Sequence, residues 1–249
     1  MNRPPHVVVI SHERSGTHIT IDAVRNNFIP YKERYYINVD NMIKGNGESL
    51  SASGCKQKLQ SGPVVIKTHT LSNHQLFFHS NPEAIEIVGA LIEGAKCIYV
   101  YRDGRDVLSS FYTFLASQYP DVRRLSLSEF LSTTNLPCDP PIRAFVGMNP
   151  VDYWRDHVEG WLGSSRVLTL SFESFFSDYE GCVSRISDFI GVPARSPCRN
   201  VLRSSKTRLL ASLEPLYKLY LRKVRNLDLT SVYFNKGRIG GVATPLWSG

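Results

Sequence analysis

Several features that would assign the chain to a specialised class of protein are missing from its sequence. The five cysteines are an odd number, and no two of them stand at the spacing of a zinc site or a redox motif. There is no apolar run of about 18 residues, the length that a membrane helix needs, and no apolar leader precedes the first predicted strand. We therefore expect a protein of a reducing, cytoplasmic compartment, with no metal and no membrane partner.

Acidic residues are fewer than basic ones, with 22 Asp and Glu against 29 Lys and Arg, so the formal net charge is +7 at pH 7. This excess of positive charge favours an anionic ligand. It is not accompanied by a basic run, zinc-finger spacing or an aromatic ribonucleoprotein motif, so we expect no nucleic-acid partner. The length of 249 residues and the ordinary content of hydrophobic and charged residues predict one domain over residues 1–249.

Short apolar runs alternate along the chain with stretches of helical spacing. The runs are rich in β-branched residues, which is typical of fully buried strands. The predicted strands are Val7–Ile10, Tyr35–Val39, Pro63–Ile66, Cys97–Tyr101 and Arg166–Ser171. Helices are predicted from about residue 17 to 28, 82 to 93, 107 to 117, 151 to 162, 179 to 190 and 199 to 224. The alternation predicts an α/β fold, with a parallel sheet flanked by helices on both faces.

A polar turn, Arg14-Ser15-Gly16-Thr17, follows the first predicted strand and opens directly into a helix. The first backbone N–H groups of a helix lack intrahelical acceptors and lie at the positive end of its dipole, so they favour a phosphate or sulfate. Gly16 lets the backbone come close, Ser15 and Thr17 add hydroxyl donors, and Arg14 adds a forked cation. We therefore predict an anion site here. The alternative is a turn that only caps the helix.

Two further predicted strands also end in basic residues. Lys67-Thr68-His69 closes the run that begins at residue 63, and Arg102 follows Cys97–Tyr101 directly. The carboxyl ends of parallel strands meet at one edge of a sheet, where α/β proteins bind their ligands. We therefore expect both clusters to converge with the first turn on one polyanion site.

The third cluster indicates a second phosphate. Arg102 and Ser110 are eight residues apart, and Asp106 between them is predicted to cap the helix. A guanidinium and a hydroxyl so placed can hold a phosphate distinct from the one at Gly16. The first turn lacks the Gly-x-x-x-x-Gly-Lys-Ser/Thr spacing of a triphosphate loop, so a nucleoside 3′,5′-bisphosphate is the favoured ligand.

At these positions the chain resembles the sulfotransferases that use 3′-phosphoadenylyl sulfate (PAPS). That family holds the 5′ phosphosulfate in a turn that reads Arg14-Ser15-Gly16-Thr17-His18 here, with arginine in place of the usual lysine. The family's Lys-Thr-His corresponds to Lys67-Thr68-His69, and its Arg-x₃-Asp-x₃-Ser corresponds to Arg102, Asp106 and Ser110.

Three further positions extend the resemblance toward the C-terminus. Phe172 stands where the family has an aromatic residue near the adenine, and Ser204 opens a segment similar to its adenine segment. Asn235-Lys236-Gly237 is similar to the Arg-Lys-Gly that covers the 3′ phosphate, with asparagine in place of the arginine. The matching positions keep the family's order and span residues 7–241.

The resemblance implies a P-loop-like fold and transfer of the sulfuryl group from PAPS to a hydroxyl or amine of a small molecule. Adenosine 3′,5′-bisphosphate (PAP) would be the product, and no metal is implied. His69 is implied as the general base, with Lys67 and Arg14 as the cations that stabilise the leaving phosphate. The implied PAPS site consists of Arg14, Ser15, Gly16, Thr17, His18, Arg102, Ser110, Phe172, Ser204, Asn235, Lys236 and Gly237.

Other interpretations of the same residues stay open. His12, His18 and Glu13 flank the first turn and are rival bases. A P-loop-type kinase would need the triphosphate loop that is missing. A non-catalytic module would bind the bisphosphate without turnover.

The remaining histidines and the large apolar side chains have simpler interpretations. His74, His79 and His157 are expected to be surface or packing residues. Trp154 and Trp161 are seven residues apart on a predicted helix and are expected in the core, as is Cys97 within its apolar run.

Overall fold

A computed structural model of the chain describes residues 3–32, 36–40, 59–73, 82–134, 136 and 147–203. Several positions named above lie outside these residues: His74, His79, Ser204, Asn235, Lys236 and Gly237, with nearly all of the predicted helix over 199–224. The described residues fall into two compact units, one drawn from Met1–Tyr101 and Arg155–Val201, the other mainly from Arg102–Trp154. The single domain over residues 1–249 stays a prediction.

The first unit contains a sheet of five parallel strands in the order β2-β3-β1-β4-β5. The strands are β1 (Val7–Ile10), β2 (Ile37–Asn38), β3 (Val65–Thr68), β4 (Lys96–Tyr101) and β5 (Val167–Ser171). All four residues of β1 are at most 1% exposed. Because successive side chains of a strand point to opposite faces, this burial means that both faces of the central strand are covered. The predicted α/β fold with a parallel sheet flanked by helices is confirmed.

The helices connect these strands in chain order. They are α1 (Thr17–Asn27), α2 (Pro82–Gly94), α3 (Gly104–Gln118), α4 (Pro120–Arg123), α5 (Leu127–Ser132), α6 (Pro150–Leu162), α7 (Ser174–Ser177) and α8 (Tyr179–Ile190), with 3₁₀ turns at Ile29–Tyr31 and Val201–Arg203. The predicted helices within the described residues are confirmed, whereas α4, α5 and α7 were not predicted. Among the described residues, none of the helices combines the length and apolar character needed to cross a bilayer.

β2 covers Ile37–Asn38 and is shorter than predicted, and β3 is shifted from its predicted position. β3 begins at Val65 and continues through Thr68, because its residues pair with β1 from Val7 to Ile10. Lys67 and Thr68 therefore lie within the strand, and His69 is the first residue beyond it.

Asn27 ties the end of α1 to the segment that follows α8. Its side-chain amide donates to the carbonyl of Arg199 at 3.1 Å and to the Tyr179 hydroxyl at 3.2 Å. Its side-chain oxygen accepts from the backbone N–H of Arg199 at 2.6 Å, and its own carbonyl accepts from Arg195 at 2.8 Å. Asn27 is 0% exposed, so these bonds satisfy a buried polar side chain.

In the second unit, α3 begins earlier than predicted, and a different carboxylate caps it. Asp103 is the N-cap, and its side chain accepts from the backbone N–H of Arg105 at 2.9 Å. Asp106, the predicted cap, lies in the first turn. Gly104 allows the indole of Trp154 to pack on the helix start, since a Cβ there would lie 2.7 Å from the ring.

In the first unit, Trp161 is 4% exposed and Cys97 is 2% exposed, so both lie in the core as predicted.

Candidate functional site

The loop after β1 lies at the point where the sheet changes its direction of growth. The chain leaves β1 to form β2 and β3 on one side, then returns to form β4 and β5 on the other. In open α/β sheets the ligand crevice forms at the carboxyl end of such a strand. Residues 11–16 therefore occupy the position at which this fold binds ligands.

Two residues of this loop have left-handed backbone conformations. Arg14 has a φ of 68°, and Gly16, the N-cap of α1, has a φ of 104°. Turns of this kind can bring successive N–H groups to one side, where they attract anions. Holding a residue such as Arg14 in this region costs about 1 kcal/mol or more, and such strain is concentrated at functional sites.

Gly16 is also the point at which Phe172 packs against the loop. A Cβ added to Gly16 would lie 2.5 Å from Cδ2 of Phe172. The Phe172 ring is held in place by burial, with 7% exposure, and its centroid is 5.0 Å from that of Phe176. Phe172 thus lies against the turn that is predicted to hold the 5′ phosphosulfate, and any side chain at position 16 would displace it.

The start of α1 has the donors that an anion needs. Gly16 has no side chain to cap the helix, and no cap bond from a side chain is found among the described residues. The hydroxyl of Ser15 is buried and has no hydrogen-bond partner within the described part of the chain. The hydroxyl of Thr17 is 2.5 Å from that of Ser11. A buried hydroxyl without a partner is costly, so the loop fits a phosphate or sulfate group that would complete it.

The positive charges of Arg14 and Lys67 both act on His18. After burial, which is the larger cause, the positive charge of Lys67 lowers the pKa of both His18 and His69. The charge of Arg14 also lowers the pKa of His18. The fold therefore brings the turn after β1 together with the end of β3, so that the cations of Arg14 and Lys67 act on the same histidine, an arrangement that suits an anion.

His69 has a defined tautomer. Its Nδ1 is 2.7 Å from the backbone carbonyl oxygen of Ser11. A carbonyl only accepts, so Nδ1 carries the proton, and Nε2 carries the lone pair of the neutral ring. Burial, followed by the positive charge of Lys67, lowers the pKa of His69 to about 3. His69 is therefore neutral at pH 7, the protonation state that a general base requires.

The rival bases differ from His69 in exposure. His12 is 0% exposed, and its Nδ1 donates to the carbonyl of Glu13 at 2.7 Å. The side chain of Glu13 is 17% exposed and that of His69 is 12% exposed, while His18 is exposed and lies 3.0 Å from the Tyr36 hydroxyl. A base must touch the acceptor, so the burial of His12 disfavours it, whereas Glu13 and His18 remain rivals.

His157, which the sequence analysis expected to be a surface or packing residue, is a buried neighbour of this site. Its ring stacks on Tyr99 with a centroid distance of 5.6 Å and meets His12 edge-on at 5.7 Å. Burial lowers its pKa well below the usual value. Trp161 stacks on the same tyrosine and donates to the carbonyl of Thr70 at 2.9 Å. Within the described ranges, no group of three or more His, Cys, Asp or Glu side chains is arranged to hold a metal ion.

Asp40 is a second neighbour that the sequence analysis missed. It is 6% exposed, and its Oδ1 accepts from the backbone N–H of His69 at 3.0 Å and from the hydroxyl of Thr68 at 3.1 Å. Asp40 follows the predicted strand Tyr35–Val39 directly. A carboxylate at the carboxyl end of a strand in the same sheet was the signal that could have identified it.

The second unit holds the other described residues of the predicted phosphate site. Arg102 precedes α3, and its guanidinium donates to the carboxylate of Asp106 at 2.9 Å, with side chains 8% and 13% exposed. Ser110 lies on α3 and is partly exposed. The hydroxyl of the neighbouring Ser109 is buried and has no hydrogen-bond partner among the described residues. Arg102 is therefore fixed by a largely buried ion pair.

Comparison with known proteins identifies the family. The profile described as "Sulfotransferase domain" matches residues 4–240. Sulfotransferase 1E1 of Mus musculus is 26% identical over 199 residues, which cover 76% of this chain and 59% of the mouse protein. A flavonol sulfotransferase-like protein of Flaveria bidentis is 25% identical over 187 residues, which cover 71% of this chain and 53% of that protein. The chain thus spans less than two thirds of either relative.

A solved structure is similar to the chain in fold. It is retinol dehydratase in complex with androsterone and the inactive cofactor PAP, which is 19% identical and superposes with a TM-score of 0.50. The match covers 96% of this chain and 75% of that one. Because the domain profile covers nearly all of the sequence, the chain belongs to the sulfotransferase family.

Proposed function

We propose that the protein transfers a sulfuryl group from PAPS to a hydroxyl or amine of a small-molecule acceptor. In this reaction the acceptor atom forms a bond to sulfur, the bond between sulfur and the 5′ phosphate oxygen breaks, and the acceptor's proton passes to a base. The donor supplies an activated sulfuryl group and a bisphosphate leaving group. The Flaveria relative is named for a flavonol, a hydroxylated small molecule, which agrees with this class of acceptor.

The observation that carries the proposal is the proximity of a neutral histidine to a turn whose donors suit an anion. The turn has a buried Ser15 hydroxyl without a described partner and a helix start without a side-chain cap. His69 lies next to it, joined to the same strand end through the Ser11 carbonyl. A site that transfers an anionic group to a hydroxyl needs both parts, one to hold charge and one to accept a proton.

Arg14, Lys67 and the first turn of α1 hold charge in this mechanism. The helix N–H groups and the Ser15 hydroxyl would bind the oxygens next to the 5′ phosphate. The two cations would stabilise the negative charge that grows on the leaving phosphate, and fixed donors do this without reorganising. The hydroxyl of Thr17 hydrogen-bonds that of Ser11, and this bond links the turn to the end of β1.

His69 accepts the proton through Nε2. Burial, followed by the positive charge of Lys67, lowers the pKa of His69 to about 3, which makes it a weak base in the absence of ligand. An anion bound beside Lys67 would offset the positive charge of that lysine, so the pKa of His69 should rise when the donor is present. A base with a pKa nearer to the working pH is more effective, so donor binding would prepare His69 for catalysis.

The rest of the donor site follows from the resemblance. We assign the 3′ phosphate to Arg102 and Ser110, and to the segment that contains Asn235, Lys236 and Gly237. Phe172 and Ser204 are assigned to the adenine, with His18 beside the 5′ phosphate.

Calorimetric titration of the purified protein with PAP, in the presence of a chelator, tests the donor site. We expect tight binding without a metal, and much weaker binding of 5′-AMP, which lacks the 3′ phosphate. Tight binding of ATP with Mg²⁺ in place of PAP would contradict the proposal and favour a kinase. Transfer is then measured with ³⁵S-labelled PAPS and a panel of phenols, alcohols and amines.

Matched variants separate catalysis from folding. Lys67→Met should lower kcat by about 100-fold or more, the usual effect of losing a donor to a developing anion. Its control is Lys96→Met at the other end of the sheet, where the ammonium lies over the Phe189 ring. His69→Gln should lower kcat by about 100-fold or more while PAP still binds, whereas His6→Gln should not. Full activity of His69→Gln would assign the base to Glu13 or His18.

A further inference from the structure

Asp40 is joined to the turn that carries His69 by two hydrogen bonds. Its Oδ1 accepts from the backbone N–H of His69 at 3.0 Å and from the side chain of Thr68 at 3.1 Å. The other carboxylate oxygen, Oδ2, is 3.9 Å from Nε2 of His69. One carboxylate therefore reaches both the backbone and the ring of the same histidine.

The sheet register explains why Asp40 lies there. Ile37 of β2 pairs with Ile66, and Asn38 pairs with Lys67. The ladder continues by one bond, since the N–H of Val39 donates to the carbonyl of Lys67 at 3.1 Å. Asp40 follows Val39, and Thr68 and His69 follow Lys67. These residues therefore lie side by side at the carboxyl edge of the sheet. Side-chain exposures of 8% for Asp40 and 12% for His69 keep water from screening the pair.

The distance from Oδ2 of Asp40 to Nε2 of His69 allows His69 to act as a base. At 3.9 Å the two atoms do not share a hydrogen bond, so the Nε2 lone pair is not consumed by Asp40. Once Nε2 takes up a proton, the ring is a cation, and a carboxylate at this distance attracts it strongly in a poorly hydrated site. Asp40 therefore favours the product of the proton transfer over the reactant.

We propose that Asp40 is a positioning residue for His69, whose carboxylate holds the turn in place and stabilises the proton that Nε2 receives. The proposal rests on the proposed function, in which His69 is the base. It adds a charged residue from the segment that follows β2 to a site whose other residues come from the ends of β1 and β3.

Other charged and titratable groups also face His69. Among the described residues they come from the loop after β1, from β3 and from α6. The positive charges of Lys67, His12 and His157 disfavour a proton on His69, whereas the negative charge of Glu13 favours one. Every variant below leaves these groups unchanged, so a difference in His69 titration is assigned to position 40.

The test uses the ¹⁵N-labelled full chain and the variants Asp40→Asn and Asp40→Ala. Asparagine keeps an oxygen that can accept both hydrogen bonds but removes the charge, while alanine removes both. Asp188→Asn, on the exposed side of α8, is the matched control for the chemical change. The readouts are the pH titration of the His69 imidazole nitrogens with PAP bound and the exchange protection of the His69 backbone amide.

In Asp40→Asn we expect the His69 titration to move to lower pH by about one unit, because the charge that favours the imidazolium is lost. The His69 amide should stay protected in this variant and lose its protection in Asp40→Ala. An unchanged His69 titration in Asp40→Asn, or a shift to higher pH, overturns the proposal. A protected His69 amide in Asp40→Ala also overturns it.

The outcomes separate this proposal from the proposed function. If PAP binds and Asp40→Asn leaves His69 unchanged, the role of Asp40 is wrong and the function stands. If PAP does not bind to the unaltered chain, the proposed function fails. The amide protection in Asp40→Ala still decides the positioning role in that case, since that measurement needs no ligand.

Discussion

The imidazole Nδ1 of His69 donates a 2.7 Å hydrogen bond to the backbone carbonyl of Ser11. This bond joins the turn after β3 to the end of β1 and presents the lone pair of the ring on Nε2. A backbone acceptor cannot be removed by substitution at position 11, so the tautomer depends on the fold and not on a particular side chain. The side-chain hydroxyl of Ser11 also hydrogen-bonds that of Thr17, so Ser11 contacts both the start of α1 and the turn that carries His69.

Gly16→Ala should destabilise the fold. The new methyl group would meet the Phe172 ring at a φ of 104°, a conformation that favours glycine. We expect a loss of about 2 kcal/mol or more in the free energy of unfolding, measured with urea. Phe172→Leu in the same background should recover part of this loss, because it removes the clash but not the backbone strain. Equal stability of the single and the double variant would show that no clash exists.

Arg14→Gly should separate binding from stability. Glycine accepts the φ of 68° without strain, so we expect the free energy of unfolding to change by less than about 1 kcal/mol. PAP binding should fall by about tenfold or more, because a charge-assisted contact is lost. Arg14→Lys, which restores a cation, should recover most of the affinity. Calorimetry and urea unfolding check the two effects, and unchanged binding in Arg14→Gly would remove Arg14 from the site.

The chain should lose stability in mild acid. The pKa of His12, His69 and His157 in the folded state lies below the ordinary value of 6.5, with burial as the main cause. The unfolded chain therefore binds more protons as the pH falls below about 6.5, and stability falls with it. Each histidine can contribute a slope of at most about 1.4 kcal/mol per pH unit in that window. Urea unfolding between about pH 5 and pH 7 measures the slope.

One variant assigns part of that slope. His157→Gln should reduce the dependence by about one proton, although the variant is less stable at neutral pH because it loses the Tyr99 stack. His6→Gln is the comparison: His6 is only partly buried, so although burial and Arg3 lower its pKa, its replacement should reduce the slope less than that of His157. A slope that is the same in all three proteins would mean that His157 is not buried as a neutral ring.

Asn27→Ala should cost far more than Asn26→Ala. Asn27 is buried and bonds to Tyr179 and Arg199 through both ends of its amide. Its loss leaves buried backbone groups unsatisfied, so we expect about 2–4 kcal/mol of destabilisation. Asn26 is exposed, and its side chain donates to the carbonyl of Asp22 in its own helix, so its replacement should be within about 0.5 kcal/mol of neutral. Similar costs would contradict the role of Asn27.

The main features of the fold were predictable because they depend on local pattern. The four β-branched residues of Val7–Ile10 can only be buried on both faces, and this fixes a central parallel strand. The start of α3 was not predictable in the same way. Asp103 and Asp106 have the same capping chemistry, and the choice between them depends on where the helix begins, which single sequences define poorly.

The site was only partly predictable for a different reason. Arg14, Lys67 and His69 each lie at or just after the end of a strand that the sequence pattern predicts, so topology alone brings their elements together. Asp40 follows a strand of two residues, whose register the sequence does not define. His157 reaches the site from a helix that is 58 residues away from Tyr99 in the chain, a contact that arises only in the tertiary structure.

The start of α1 has one more consequence. Its first amide protons, those of Thr17, His18 and Ile19, have no acceptor within the helix, and Gly16 adds no side-chain cap. Without ligand they should exchange with solvent deuterium quickly, although they belong to a helix whose inner face is buried. Any anion that binds at the turn should slow them. The helix start is thus a built-in reporter, which makes it possible to screen donors and their analogues before any acceptor has been identified.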